Sequence, residues 1–253
     1  MTRRAHHLED TLGRLKLFGM LDTLDVRLQQ AAAGELGHVE LLEVLCQDET
    51  ARRDAAGLAR RIKAARFETQ ATIEDYDFKF NPKIPAAAIR DLATLRFVDA
   101  GESIILHGPV GVGKTMVAQA LGHAACRHGH SVAFTKTSRL LADLAGGHAD
   151  RSWHNRLRRW SRPTLLILDD FAMRDFTLAQ ADDLYELVGE RAAARRPVIF
   201  TANRAAVDWY PLFPNPVVAE SILDRIVNGA HHIHMDGRSF RPNKRPTTTT
   251  GKS

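Results

Sequence analysis

Residues 103–115 read SIILHGPVGVGKT, an apolar run followed at once by a glycine-rich loop. The loop matches the G-x-x-x-x-G-K-[ST] pattern in full, and residues 116–127 after it have helical periodicity. In such a strand–loop–helix setting, backbone N–H groups and the helix N-terminus together bind anionic phosphate oxygens. The sequence therefore predicts a nucleotide-binding loop made of Gly108, Pro109, Val110, Gly111, Val112, Gly113, Lys114 and Thr115.

Two side chains of this loop have separate predicted roles. Lys114 can reach the β- and γ-phosphates, and the Thr115 hydroxyl can ligate Mg²⁺. No N-K-x-D pattern follows the later strands, which argues against guanine as the base and leaves adenine as the default. We therefore expect ATP and Mg²⁺ as the ligands.

A second part of the site is expected at residues 165–170, which read LLILDD. Four apolar residues are typical of a strand buried in a parallel sheet, and two carboxylates follow. Asp169 is predicted to hold Mg²⁺ directly or through water, and Asp170 to orient and deprotonate the attacking water. An Asp-Asp pair at a strand end is often only a turn before a helix, but the phosphate loop upstream favours the functional interpretation.

The next β-rich run ends in the same way, with Thr201-Ala202-Asn203. Asn203 either hydrogen-bonds the water that attacks the γ-phosphate or only forms the turn, and the residues alone leave both interpretations open.

The remaining pattern predicts an α/β fold, a parallel sheet flanked by helices and preceded by a small all-helical domain. Residues 1–66 have helical periodicity, Asn81–Pro85 interrupts it, and strands then alternate with helices. We expect a helical N-terminal domain at 1–78 for partner binding, DNA binding or oligomerisation. The nucleotide-binding domain should occupy 79–240, and a basic disordered tail 241–253.

Composition narrows the class of protein. The chain has 253 residues, a net charge of +5 and two cysteines, Cys46 and Cys126, too few for a disulfide framework. No apolar run is long enough to span a membrane and no signal segment begins the chain, so we expect no membrane partner and a cytoplasmic protein. The basic charge of residues 79–253 favours a nucleic-acid partner, although an arginine-rich genome produces similar surfaces.

Arginines concentrate between the two nucleotide motifs. If this segment is one helix, Arg151, Arg158 and Arg162 line one side of it, a spacing that suits phosphate contacts with duplex DNA. The alternative is a solvated basic face whose tryptophans pack into the core. The candidate DNA-binding residues are Arg151, Arg156, Arg158, Arg159 and Arg162.

Together these motifs resemble the IstB family of transposition helper ATPases, relatives of the helicase loader DnaC within the AAA+ class. The resemblance extends from LGRLKLFGMLDTLDVRL near the N-terminus through Tyr76-Asp77-Phe78 and the phosphate loop to the segment AESILDRI at 219–226. It implies an AAA+ P-loop NTPase fold. It also implies that Asn203 is the nucleotide sensor and that Arg225 is an arginine finger for a neighbouring subunit's nucleotide. Arg241 is a further candidate for nucleotide sensing.

The function implied is an ATP-hydrolysing, DNA-binding transposition helper. It would form homo-oligomers through composite ATP sites, assemble on DNA, and recruit or regulate a transposase. A replicative helicase loader is the nearest rival function, because the chemistry is the same and only the client differs. A small-molecule P-loop kinase and a non-hydrolysing DNA scaffold belong to different functional classes and are the more distant rivals.

Overall fold

The computed structural model describes the backbone of residues 3–240 and the side chains of residues 7–240. The predicted tail at 241–253, which includes Arg241, lies outside the described residues. The chain divides into two compact units, one ending at Arg60 and the other beginning at Arg61.

The first unit is helical, as predicted. It contains α1 (Arg3–Arg14), α2 (Phe18–Ala32) and most of α3 (His38–Ala65). Leu12, Leu24 and Leu45 form its small core. A buried carboxylate fixes the start of α2, because Glu49 Oε2 accepts a 2.6 Å hydrogen bond from the backbone N–H of Gly19.

Residues 61–78 belong to the second unit, so the division of the chain lies earlier than the boundary predicted after residue 78. Side chains of the second unit hold this segment. Gln119 Oε1 accepts hydrogen bonds from the backbone N–H groups of Glu68 and Thr69, at 2.8 and 3.0 Å. The function predicted for the helical domain stays a prediction.

The second unit alternates strands and helices, and this confirms the predicted fold class. A short 3₁₀ turn covers Ala206–Leu212. The helices are α4 (Ala86–Leu92), α5 (Arg96–Ala100), α6 (Lys114–Arg127), α7 (Thr137–Ala149), α8 (Trp153–Ser161), α9 (Leu178–Ala193) and α10 (Pro216–Val227). The strands are β1 (Ser103–His107), β2 (Val132–Lys136), β3 (Leu165–Phe171), β4 (Val198–Ala202) and β5 (Ala230–His234).

The five strands form one parallel sheet in the order β2-β3-β4-β1-β5. Its central strands are buried on both faces, which explains their continuous apolar sequences. Because the carboxyl ends of parallel strands meet at one edge, the loop after β1 and the carboxylates at the end of β3 lie close together, with β4 between their strands. Within residues 3–240, no helix combines the length and apolar character needed to cross a bilayer.

Candidate nucleotide-binding site

The phosphate loop needs glycine at positions where the backbone is left-handed and tightly packed. Gly113 precedes α6 with φ +98°, and a Cβ there would lie 2.6 Å from Tyr76 Cε2. Gly111 has φ +87°, and its Cβ would lie 2.0 Å from Ser239 Oγ. A side chain at either position would combine backbone strain with a steric clash, so the loop depends on both glycines.

Lys114 begins α6 with its ammonium folded back onto the loop. Its Nζ donates to the carbonyls of Gly108 and Pro109, at 2.8 and 2.7 Å. The residue is only 7% exposed. The cation is therefore held within the turn of the loop, where the phosphates of a nucleotide bind in P-loop proteins.

Asp169 at the end of β3 contacts the phosphate loop directly. Its Oδ1 accepts hydrogen bonds from Thr115 Oγ1 at 2.7 Å and Thr201 Oγ1 at 2.6 Å. Burial raises the pKa of the Asp169 carboxyl, and the two hydroxyl groups oppose that rise. A hydroxyl and a carboxylate are the oxygen ligands that Mg²⁺ prefers, and a bound cation would offset the cost of burying the charge. The donor set therefore fits Mg²⁺.

A β-bulge separates the two adjacent carboxylates. Leu168 pairs with Phe200 and Phe171 with Ala202, so Asp169 and Asp170 together lie opposite Thr201 alone. Asp170 has φ +55°, and its backbone N–H donates to Thr201 Oγ1 at 3.0 Å. The bulge leaves Asp169 buried against Thr115, whereas the Asp170 side chain is about half exposed and lies 3.8 Å from Lys136 Nζ.

These elements surround a cavity of about 670 Å³, a volume typical of small-molecule sites. It brings together much of the predicted loop with Asp170 and Asn203. Asn203 Nδ2 lies 3.1 Å from Met173 Sδ at the cavity wall. The lining residues that the sequence predicted are Val110, Gly111, Gly113, Lys114, Thr115, Asp170 and Asn203.

The aromatic wall of the cavity has no counterpart among the residues predicted from the sequence. Tyr76 and Phe80 come from the segment before α4, and Phe240 comes from the end of the described chain. The Phe240 ring lies 4.4 Å from Phe80 and 5.5 Å from Tyr76, measured between centroids. The Tyr76 hydroxyl donates to the carbonyl of Val112 at 2.6 Å, so this wall is fixed to the phosphate loop.

Two segments far apart in sequence hold the aromatic wall together. The buried Asn81 amide donates to the carbonyl of Arg238 and accepts from its backbone N–H, both at 2.8 Å. The backbone N–H of Phe240 donates to the carbonyl of Gly111 at 2.9 Å. The sequence pattern indicates only an interruption between domains at Asn81, but in the structure this residue links the two segments that carry the aromatic wall. For Tyr76 the family resemblance is the sole sequence signal.

Arg225 does not belong to the cavity of its own chain. Its guanidinium lies over the ring of Tyr185 on α9, 4.9 Å from the centroid, and the side chain is exposed. The predicted finger is therefore separate from the phosphate loop within one subunit.

The prediction that Arg151, Arg158 and Arg162 share one side of a helix is wrong. Helix α8 covers only Trp153–Ser161, because Arg151 adopts φ +61° in the turn before it and Arg162 follows its end. Arg158 and Arg162 instead line an open cavity of about 400 Å³ together with Arg159.

Two of the predicted DNA-contacting arginines form ion pairs within the fold. Arg156 contacts Asp143 at 3.2 Å and Asp150 at 2.5 Å, and Arg159 contacts Asp143 at 2.5 Å. Trp160 is buried, and its Nε1 donates to the same Asp143 carboxylate at 2.8 Å. The packing of this tryptophan agrees with the interpretation of the segment as a solvated basic face, whereas DNA contact stays a prediction.

The strand order and the phosphate loop define an AAA+ type of P-loop NTPase fold, and comparison with solved structures supports this fold. The chain is similar to the DnaC helicase loader, with 18% identity and a TM-score of 0.57 over 66% of this chain and 97% of that one. It is also similar to AMPPCP-bound DnaA from Aquifex aeolicus, with 16% identity and a TM-score of 0.56 over 68% of this chain. The match spans about half of the DnaA chain, 52%. At these identities the likeness concerns the fold.

Residues 10–248 match the family described as IstB-like ATP binding protein, and the chain belongs to that family. A relative from Mycobacterium tuberculosis, named as an ATP-binding protein in an insertion sequence, is 63% identical over 96% of this chain and 97% of its own. The insertion sequence IS21 ATP-binding protein from Pseudomonas aeruginosa is 35% identical over 93% of this chain and 89% of its own.

Proposed function

We propose that the chain is an ATP-dependent transposition helper that binds duplex DNA, assembles on it, and recruits or regulates a transposase. One observation carries the ATPase part of this proposal. The hydrogen bond between Thr115 and Asp169 joins the phosphate loop to a carboxylate pair, and Asp170 of that pair lies at the nucleotide cavity.

The proposed reaction is hydrolysis of the γ-phosphoryl group of ATP. The loop N–H groups and Lys114 bind and orient the phosphates, while Thr115 and Asp169 hold Mg²⁺, which neutralises phosphate charge when it is bound. Asp170 accepts a proton from the attacking water, which adds to the γ-phosphorus as the bond to the ADP oxygen breaks. Asn203 hydrogen-bonds the same water. The aromatic wall formed by Tyr76, Phe80 and Phe240 receives the adenine base.

Assembly would complete this site. Arg225 is exposed on α10 and does not line the cavity of its own chain. We propose that it reaches the nucleotide of a neighbouring subunit and stabilises charge on the transferred phosphoryl group, which makes hydrolysis depend on oligomerisation.

The proposed DNA contacts are phosphate contacts made by exposed arginines. Arg151, Arg158 and Arg162 are exposed. Arg156 and Arg159, which pair with carboxylates, would contribute less. Binding through phosphates alone is independent of base sequence and weakens steeply with salt.

The proposed client, a transposase, is supported by the family and by relatives named for insertion sequences.

The experiment that tests the proposal measures ATP turnover with and without duplex DNA at two salt concentrations, while light scattering follows particle size. We expect DNA-stimulated, salt-sensitive turnover together with large assemblies. An Arg225→Ala variant should bind ATP but lose the DNA-stimulated turnover, by about 10³-fold. An exposed arginine on α5, changed as Arg96→Ala, is the control.

Turnover that is indifferent to DNA and comes from a monomer would contradict the assembly model. Equal turnover in Arg225→Ala and the unaltered protein would contradict the finger assignment alone.

A further inference from the structure

The segment that follows β5 lies against the first half of the phosphate loop. Residues 235–240 read MDGRSF, and we call them the strap. At one end of the strap, the backbone N–H of Met235 donates to the carbonyl of His107 at 2.8 Å, directly before the loop. At the other end, the backbone N–H of Phe240 donates to the carbonyl of Gly111 at 2.9 Å. The strap therefore follows the loop and places the Phe240 ring in the wall of the nucleotide cavity.

One buried side chain holds the middle of the strap. Asn81 is 1% exposed, and its amide donates to the Arg238 carbonyl and accepts from the Arg238 backbone N–H, both at 2.8 Å. A single side chain thus satisfies both backbone polar groups of Arg238. The packing around this amide is tight, because Gly237 has φ +140° and a Cβ there would lie 2.5 Å from Asn81 Oδ1. A side chain at position 237 would therefore displace the Asn81 amide.

Two further contacts of the strap lie at the protein surface. Lys83 Nζ is 3.2 Å from Asp236 Oδ2, and the two side chains are 75% and 42% exposed. The exposed Arg238 guanidinium lies over the Phe80 ring, 4.9 Å from its centroid. Exposed ion pairs and exposed cation–π contacts are weak, because water screens the charge. The buried Asn81 amide is therefore the contact best placed to fix the strap.

The position of the strap matters more for the base than for the phosphates. The Phe240 ring lies 4.4 Å from the Phe80 ring, measured between centroids, and both rings line the cavity. The phosphate loop has attachments of its own that do not involve Asn81. Lys114 Nζ donates to two loop carbonyls, and the Thr115 hydroxyl donates to the carboxylate at the end of β3. A displaced strap should therefore move the base-binding ring and leave the phosphate-binding groups in place.

We propose that Asn81 is the positioning residue for the nucleotide base. Asn81 does not line the cavity, and it acts by holding the strap so that the Phe240 ring can stack on adenine. It thereby sets the affinity for the base and leaves the affinity for the phosphates unchanged. This inference rests on the proposed function only in that the aromatic wall receives the base, and it requires no ATP hydrolysis, DNA or transposase.

Calorimetry on the full-length protein tests the proposal with two ligands, each in the presence of Mg²⁺. AMPPCP carries the base, the ribose and the phosphates, whereas tripolyphosphate carries the phosphates alone. We expect Asn81→Ala to weaken AMPPCP binding about tenfold, as expected for the loss of one base–aromatic stacking contact, and to change tripolyphosphate binding less than about twofold. Gly237→Ala, whose Cβ would displace the Asn81 amide, should separate the two ligands in the same way.

A double-mutant cycle tests whether Asn81 acts through Phe240. Phe240→Ala alone should weaken AMPPCP binding about tenfold. In the Phe240→Ala background, Asn81→Ala should weaken it less than about twofold further, because the ring that Asn81 positions is already absent. A purely structural role would give the full effect of Asn81→Ala in both backgrounds.

Lys83→Ala is the matched control, because it breaks an exposed contact between the same two segments and should leave both affinities unchanged. A melting curve checks that each variant is folded, and Gly237→Ala replaces Asn81→Ala if that variant unfolds. The inference is overturned if Asn81→Ala weakens both ligands equally, leaves AMPPCP binding unchanged, or has the same effect with and without Phe240. If Phe240→Ala itself leaves AMPPCP binding unchanged, the base binds elsewhere and its assignment in the proposed function fails as well.

Discussion

The Thr115 hydroxyl lies 2.7 Å from Asp169 Oδ1, and this single hydrogen bond joins the loop after β1 to the end of β3. Thr201 on β4 contacts the same oxygen at 2.6 Å, so one side chain from the start of α6 and one from β4 contact this buried carboxylate of β3. Both of these side-chain donors are hydroxyl groups, and together they fix the orientation of the carboxylate. A divalent cation bound here would be stabilised strongly by the carboxylate, because the carboxylate is buried and already oriented.

The pH dependence of stability should report the buried charge of Asp169. Burial raises its pKa above the ordinary 3.8, so the folded protein loses this proton at higher pH than the unfolded chain. The cost of the charge is absent below about pH 3.8, grows as pH rises towards the folded pKa, and is complete above it. Without nucleotide, Asp169→Asn should therefore melt about 2–5 °C higher at pH 7 and lose this advantage in acid.

Calorimetry at a series of pH values checks this prediction, with Asp170→Asn as the half-exposed control that should melt within about 1 °C of the unaltered protein. A lower melting temperature for Asp169→Asn at pH 7 would show that the carboxylate stabilises the empty fold.

The Tyr76 hydroxyl should contribute measurably to nucleotide affinity. Tyr76→Phe keeps the aromatic wall but leaves the Val112 carbonyl without this donor, at a cost of about 1 kcal/mol to the ordered loop. We expect ATP binding to weaken about fivefold in a fluorescence titration. Tyr210→Phe, which removes an exposed hydroxyl outside the nucleotide cavity, should leave the affinity unchanged. Equal affinities for the two variants would contradict the role given to Tyr76.

Substitutions of the arginines within residues 151–162 should fall into two groups, one that changes the salt dependence of DNA binding and one that changes the free energy of unfolding. Arg158→Ala/Arg162→Ala should lower the slope of log affinity against log salt by about two, because two phosphate contacts are lost. Arg156→Ala should instead lower the free energy of unfolding, since it removes a partially buried partner of Asp143 and Asp150. Fluorescence anisotropy on duplex DNA and urea unfolding check both effects. The division fails if Arg156→Ala changes the salt slope as much as the double variant does.

Arg191 on α9 should be among the most important residues for stability. It is 1% exposed. Its guanidinium donates to backbone carbonyls at the end of α8, in the segment between α8 and β3, and just before β4. A lysine cannot reach all of these acceptors, so Arg191→Lys should cost about 2–4 kcal/mol in urea unfolding. The acceptors are the carbonyls of Trp160, Ser161, Pro163, Thr164 and Pro197.

Arg196 provides the matched control, because its guanidinium donates to the Ser161 carbonyl from outside the buried site. Arg196→Lys should cost less than ~1 kcal/mol. Similar decreases in the free energy of unfolding for the two variants would mean that the several carbonyl contacts of Arg191 do not act together.

The parts of the fold that could be predicted are those encoded by short continuous segments. The phosphate loop and the run LLILDD each carry their information within a few residues, because an apolar strand must be buried and its end must lie at the edge of the sheet. The β-bulge that separates Asp169 from Asp170 depends on the pairing with β4, and no local pattern indicates it.

The parts that could not be predicted depend on contacts between distant residues. Asn81 and Arg238 are 157 positions apart, and neither carries a local signal that would link them. Arg156 and Arg158 look alike in the sequence, and only the carboxylates of Asp143 and Asp150 distinguish them. Arg191 could not be recognised either, since a buried arginine bound to carbonyls has the same sequence signature as an exposed one.

The role of Asp170 is tested most sharply by ATP hydrolysis of Asp170→Asn under saturating ATP and Mg²⁺, with the unaltered protein and Asp175→Asn in parallel. We expect Asp170→Asn to bind ATP with unchanged affinity but to turn it over at least about 10²-fold more slowly, because the group that takes the proton from water is lost. Asp175, on the loop after β3, should be dispensable. Turnover by Asp170→Asn equal to that of the unaltered protein would contradict the assignment of Asp170 as the base.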